Sequence, residues 1–110
     1  MATRYPTVTQ LGPGTLRVRW SGLLATDVGD PFACHQFKGK TVHMYGTFGG
    51  SVALQGNNGG TTWITVTDPQ GNPISMAAEA IEEVLEAISE IRPSAGAGVG
   101  NVTVDLVVRW

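Results

Sequence analysis

Apolar and polar residues alternate in several short runs along the chain, and each such run is a strand signal. Leu16, Val18 and Trp20 alternate with Thr15, Arg17 and Arg19, which gives one apolar and one cationic face. Thr41–Phe48 repeats the pattern: Val42 and Met44 point one way, His43 and Tyr45 the other. Val52 and Leu54 alternate with Ser51, Ala53 and Gln55, and the β-branched run Thr62–Thr67 follows. Between them Asn57-Asn58-Gly59-Gly60 is the strongest turn signal in the chain, because Asn and Gly accept positive φ at low cost. The two runs therefore read as a hairpin. Asp68-Pro69-Gln70-Gly71-Asn72-Pro73 is a further turn. Near the end, Val102, Val104, Leu106 and Val108 form one wholly apolar face of a long closing strand.

One segment changes period. Ala77, Ile81, Val84, Leu85 and Ile88 recur every three or four residues, with Glu79, Glu82, Glu83 and Glu86 between them. That spacing predicts an amphipathic helix over roughly 76–89, capped by Ser75 and ended by Arg92-Pro93. Residues 21–39 show no clear period and read as a long connection. Residues 1–14, rich in Thr, Pro and Gly, read as an extended N-terminal arm with at most a short strand at 7–10. The expected fold is mostly β: an antiparallel, jelly-roll-like β-sandwich over 15–110 with one short α-helix.

Composition narrows the choice of function. The chain has 110 residues, enough for one domain, and 42% of it is apolar at a net charge of -2, which excludes disorder. Glycine is abundant, at 15 residues, and falls in turns with no collagen period. Lys and Arg number seven against nine acids, so no basic excess points to nucleic acid or an anionic membrane. The charges are unevenly placed. Five of the acids are Glu79, Glu82, Glu83, Glu86 and Glu90, which leaves the rest of the chain slightly cationic. No apolar run approaches the roughly 18 residues of a membrane helix, and the N-terminus lacks the apolar core of a signal peptide. A single cysteine, Cys34, fits folding in a reducing cytosol.

No constellation meets the requirements of catalysis. Cys34-His35 lacks the further ligands of a zinc site, since His43 is the one other histidine. A Cys–His nucleophile needs facing side chains and an orienting third group, which adjacent loop residues do not supply. The Glu cluster reads as a solvated face, and the Gly-rich stretches lack the lysine of a phosphate loop. Neither an enzyme nor a cofactor nor a metal is expected. Trp20 continues an apolar strand face and reads as core, Trp63 as core or sheet surface, and Trp110 as part of a partner interface.

The run from Thr41 to Trp63, the Asp68–Asn72 turn, the Ile91-Arg92-Pro93 step and the closing strand together resemble small structural proteins of tailed bacteriophages. The resemblance spans residues 41 to 109. Its Leu54-Gln55-Gly56-Asn57-Asn58-Gly59 hairpin also looks like part of a discoidin-type jelly roll. It implies a non-enzymatic virion protein that decorates or cements the capsid exterior, made in the bacterial cytoplasm. The major capsid protein would be its partner, and a dimer or trimer its state on the shell. The residues expected to make those contacts are Arg4, Tyr5, Arg17, Arg19, Tyr45, Arg109 and Trp110. A carbohydrate-binding module using Trp63 or Tyr45, and a head–tail or tail protein, are the alternatives.

Overall fold

In a computed structural model, which describes residues 2–110, the chain forms two β-sheets that share one core. The five-stranded sheet is built from β2 (Thr7–Gly12), β3 (Thr15–Leu23), β6 (Gly39–Thr47), β10 (Ala80–Glu83) and β12 (Asn101–Arg109). Its order is β10-β6-β12-β3-β2, antiparallel throughout. The second sheet contains β1 (Thr3–Arg4), β4 (Val28–Gly29), β5 (Phe32–Ala33), β7 (Val52–Asn57), β8 (Ile64–Thr65), β9 (Ser75–Met76) and β11 (Glu90–Ala95). Its main path is β1-β4-β11-β7-β8, with β5 on β11 and β9 on β7. After β3 the chain crosses between the sheets at six of nine steps, so most pairings join residues distant in sequence.

The expected alternations hold. Val18, Trp20, Val42, Met44, Val102, Val104, Leu106 and Val108 point into the core, where they meet Val52, Leu54 and Ile91 of the other sheet. The Asn57–Gly60 turn joins β7 to β8, with Gly59 at φ +91° and its amide donating to Asn57 Oδ1. In the Asp68–Asn72 turn, Asp68 Oδ1 accepts the amides of Gln70 and Asn72.

The expected helix is absent: among the described residues there is none. Residues 80–88 run extended along the sandwich. Even-numbered side chains (Ala80, Glu82, Val84, Glu86, Ile88) turn inward and odd-numbered ones outward. Tertiary demand overrides the helical spacing. The edge of β6 needs a partner, and β10 supplies it from Ala80↔Met44 to Glu83↔Thr41. The backbone then seals neighbouring elements, as the Val84 amide donates to Lys40 and the Leu85 amide to Thr67. Glu86 tolerates its inward position because the Thr67 amide and hydroxyl both donate to its carboxylate. Burial pushes that carboxyl up, but these bonds outweigh it and hold it below its ordinary range.

Two other segments are more structured than their sequence suggests. The 21–39 connection extends β3 to Leu23 and adds β4 and β5 to the second sheet. The segment read as an arm is extended and paired: β1 lies parallel to β4, and β2 lies antiparallel to β3.

Candidate interaction face

The outer face of the five-stranded sheet gathers Arg17, Arg19 and Tyr45 of the residues expected to act. Strand register sets the rows. Thr7, Arg19, Asp105, His43 and Ile81 stand side by side across all five strands; Thr9, Arg17, Val107, Thr41 and Glu83 form the next row. Each is an odd-numbered residue opposite the core, so one parity rule brings them together.

Asp105 is the hub. Arg19 donates to it through Nε (2.7 Å) and Nη2 (3.0 Å), and the Tyr45 hydroxyl donates to Oδ2 at 3.2 Å. The Asp105 side chain is buried beneath these groups. Burial pushes its carboxyl up, but the hydrogen bonds and charge of Arg19 outweigh this and hold it below the usual range. Arg19 is in turn held above its ordinary value by its bonds to Asp105. Burial, with the negative charge of Asp105, raises the Tyr45 phenol. The His43 ring lies 4.8 Å from that of Tyr45, and its Nε2 donates to Glu79 at 2.9 Å. Arg17 stands beside them with its Nε buried and unpartnered.

Other expected contact residues lie elsewhere. Arg4 donates to Asp27 at 2.8 Å, and Asp27 also accepts the amides of Ala2 and Leu24, which ties the N-terminal residues to the second sheet. Tyr5 follows, exposed. Arg109, exposed at the end of β12, is on the same side of that strand as Asp105 but outside its network. Trp110 packs on Phe37 (4.7 Å between centroids) and its amide donates to Gly14, yet the side chain stays 63% exposed. Trp63 lies under Arg92, whose guanidinium carbon sits 4.1 Å from the ring centroid. The two aromatics that a sugar-binding reading requires are thus both engaged by the protein's own side chains. Cys34 is buried and donates to the Ile88 carbonyl, and desolvation raises its thiol.

Alternation turns Arg17 and Arg19 outward on one strand and Tyr45 outward on another, but it did not single out Asp105 or Glu79. The signal for Asp105 was its parity, since it is the one acid of β12 and falls on the same side as Val107 and Arg109. Glu79 was hidden by the helical reading.

The fold has a phage counterpart. The SPBc2 prophage-derived protein YomS superposes with a TM-score of 0.67, covering 86% of this chain and 93% of that one. Identity is 12%, so the likeness is one of fold. A second structure, KdgF from Halomonas sp., gives a TM-score of 0.42 at 11% identity over 94% of this chain and 86% of that one, too distant to bear on function. No protein-family model and no curated protein matches the sequence.

The network makes a pH prediction. Asp105 and Asp27 both have lowered folded-state values; for Asp27 the Leu24 amide is the main cause, followed by Arg4. A lowered carboxyl contributes stability that is complete above its unfolded pKa of about 3.9 and is lost as pH falls through the folded value. Melting temperature should be level from about pH 7 to 5 and fall steeply below about 4. Asp105→Asn should flatten part of that fall. Equal melting temperatures at pH 3 and pH 6 would refute the assignment.

Proposed function

We propose that this chain is a non-enzymatic structural protein of a bacteriophage particle, bound to the outer surface of the head through the five-stranded sheet. Its partner there is the major capsid protein, and it is made in the host cytoplasm before joining the shell. The observation that carries the phage reading is the fold shared with a prophage-derived protein over most of both chains. The outer sheet face supports docking. It spans all five strands, and its central charges are already paired, with half-buried Arg17 beside them. The non-enzymatic reading is supported by the same pairing: the clustered polar groups serve one another, and the one thiol is buried with a raised pKa.

Electron cryomicroscopy of particles containing the chain tests this. Density is expected on the outside of the head, with the five-stranded sheet toward the shell. Density inside the shell or on the tail alone removes the head reading, and absence from particles removes the structural one. Arg17→Glu should lower head occupancy at least tenfold, whereas Trp63→Ala, beside Arg92 of the other sheet, should leave it unchanged.

A further inference from the structure

Strand β2 is an edge shielded by neither charge nor short length, with Pro6 before it and a bulge only at its far end. Natural edge strands are shielded by charge, proline, bulges or short length. The second sheet follows that rule, since its path ends in β1 and β8, two residues each. The opposite edge of the five-stranded sheet, β10, carries Glu82 and Glu83, with Glu79 just before it. By contrast β2 is six residues long, and no residue from Tyr5 to Leu16 is charged. Tyr5, Val8 and Leu11 are exposed there by 74%, 48% and 51%.

The hydrogen-bond parity of this edge follows from its neighbours. The Trp110 amide donates to Gly14, so the even-numbered residues of β3 face β12 and the odd-numbered ones face β2. Thr7 and Thr9, opposite Arg19 and Arg17, therefore bond inward. Val8 and Gln10 turn their N–H and C=O groups outward.

We infer that two copies of this chain pair through β2, antiparallel about a two-fold axis at Thr9, joining their five-stranded sheets into one. The register is set by the edge itself. An axis at Thr9 places Val8 opposite Gln10 of the other copy and satisfies the outward groups of both residues twice over. An axis at Val8 would instead set Gln10 against Pro6, which has no N–H. An axis at Gln10 would meet the bulge between Gln10 and Gly12. Charge selects a second copy as the occupant: two β10 edges would repel each other through their glutamates, whereas two β2 edges meet without charge. Pairing β2 with β10 of the next copy is heterologous and would propagate as an open chain, while the β2 pair closes. The contact is small, so the isolated dimer is weak, and many copies on a shell would engage together.

Disulfide trapping of the isolated chain tests this without reference to any particle, so it can fail while the virion reading stands. Across the axis Thr9 faces its own copy in a non-hydrogen-bonded pair, whose Cα spacing of about 4.5 Å suits a disulfide. Thr7 is four residues from its own copy along the strand, about 13 Å, beyond that reach. With Cys34 buried, Thr9→Cys should cross-link under mild oxidant at least tenfold faster than Thr7→Cys. Adding Val8→Pro removes an outward N–H but no bond to β3, and should abolish the difference with little change in melting temperature. Equal rates for Thr9→Cys and Thr7→Cys would overturn the proposal, as would trapping that survives Val8→Pro. Higher-order chains in sedimentation velocity would indicate β2–β10 pairing and overturn it too.

Discussion

Trp20→Ala should destabilise the protein by about 3–5 kcal/mol, the range for removing a buried aromatic side chain. Against a total of about 5–15 kcal/mol for a domain, that loss leaves little margin at 37 °C. Trp20 is fully buried and is the largest side chain so placed. It also bridges the two sheets. Its own strand, β3, belongs to the five-stranded sheet, yet a Cβ at Gly29 of β4 would come within 2.7 Å of its Cδ1 and against the Pro93 ring of β11. Its Nε1–H donates to the Asp30 carbonyl at 3.0 Å. Alanine would leave a cavity between the sheets and an unfilled acceptor. Trp20→Phe separates the two effects, since it keeps most of the volume, loses the donor, and should cost about 1–2 kcal/mol. Urea denaturation measures both. A loss below about 1.5 kcal/mol for Trp20→Ala would show that the sheets close over the gap.

The strands that carry the core were legible because burial on one face only imposes a period of two. Leu16–Trp20, Val42–Met44 and Val102–Val108 obey it with almost no exception. The 80–88 segment defeated the same rule although it too follows a period of two. Its inward positions include Glu82 and Glu86, and its outward ones include Ile81 and Leu85, both more than half exposed. Polarity therefore ran against burial, and the remaining apolar spacing imitated a helix. The reason lies outside the segment, in the Thr67 groups that accommodate Glu86 and the β6 edge that recruits the backbone. Short strands β4 and β5 were illegible for a related reason: two residues carry no period, and their pairing with β11 is set by the fold.

The interaction face was half legible. Alternation places Arg17 and Arg19 together on β3 and Tyr45 outward on β6. It does not say which strands are neighbours. That β12 lies between β3 and β6, bringing Asp105 under both Arg19 and Tyr45, is a fact of topology.

Gly46→Ala should cost at least about 3 kcal/mol, although the residue is exposed and its strand was read straight through it. Gly46 has φ +131°, a conformation that side-chain-bearing residues adopt at a cost of about 1–3 kcal/mol. Space adds to that. A Cβ here would collide with the Asn101 carbonyl oxygen and lie 3.1 Å from the Val102 Cα, and backbone cannot swing aside as a side chain can. Val102 pairs with Gly46 on one side and, across the bulge in β3 where Gly22 has φ +68°, with Leu23 on the other. The start of β12 is thus held between two strands that each bend at a glycine. Moving it would disturb Val102 and Val104, both fully buried. Thermal and urea unfolding check this, with Gly12→Ala as the control: that glycine has open space around its Cβ position and an ordinary φ, and its variant should stay within about 1 kcal/mol of the parent. If Gly46→Ala matched that control, the bend at β6 would be an accommodation of the strand and not a requirement of the sheet.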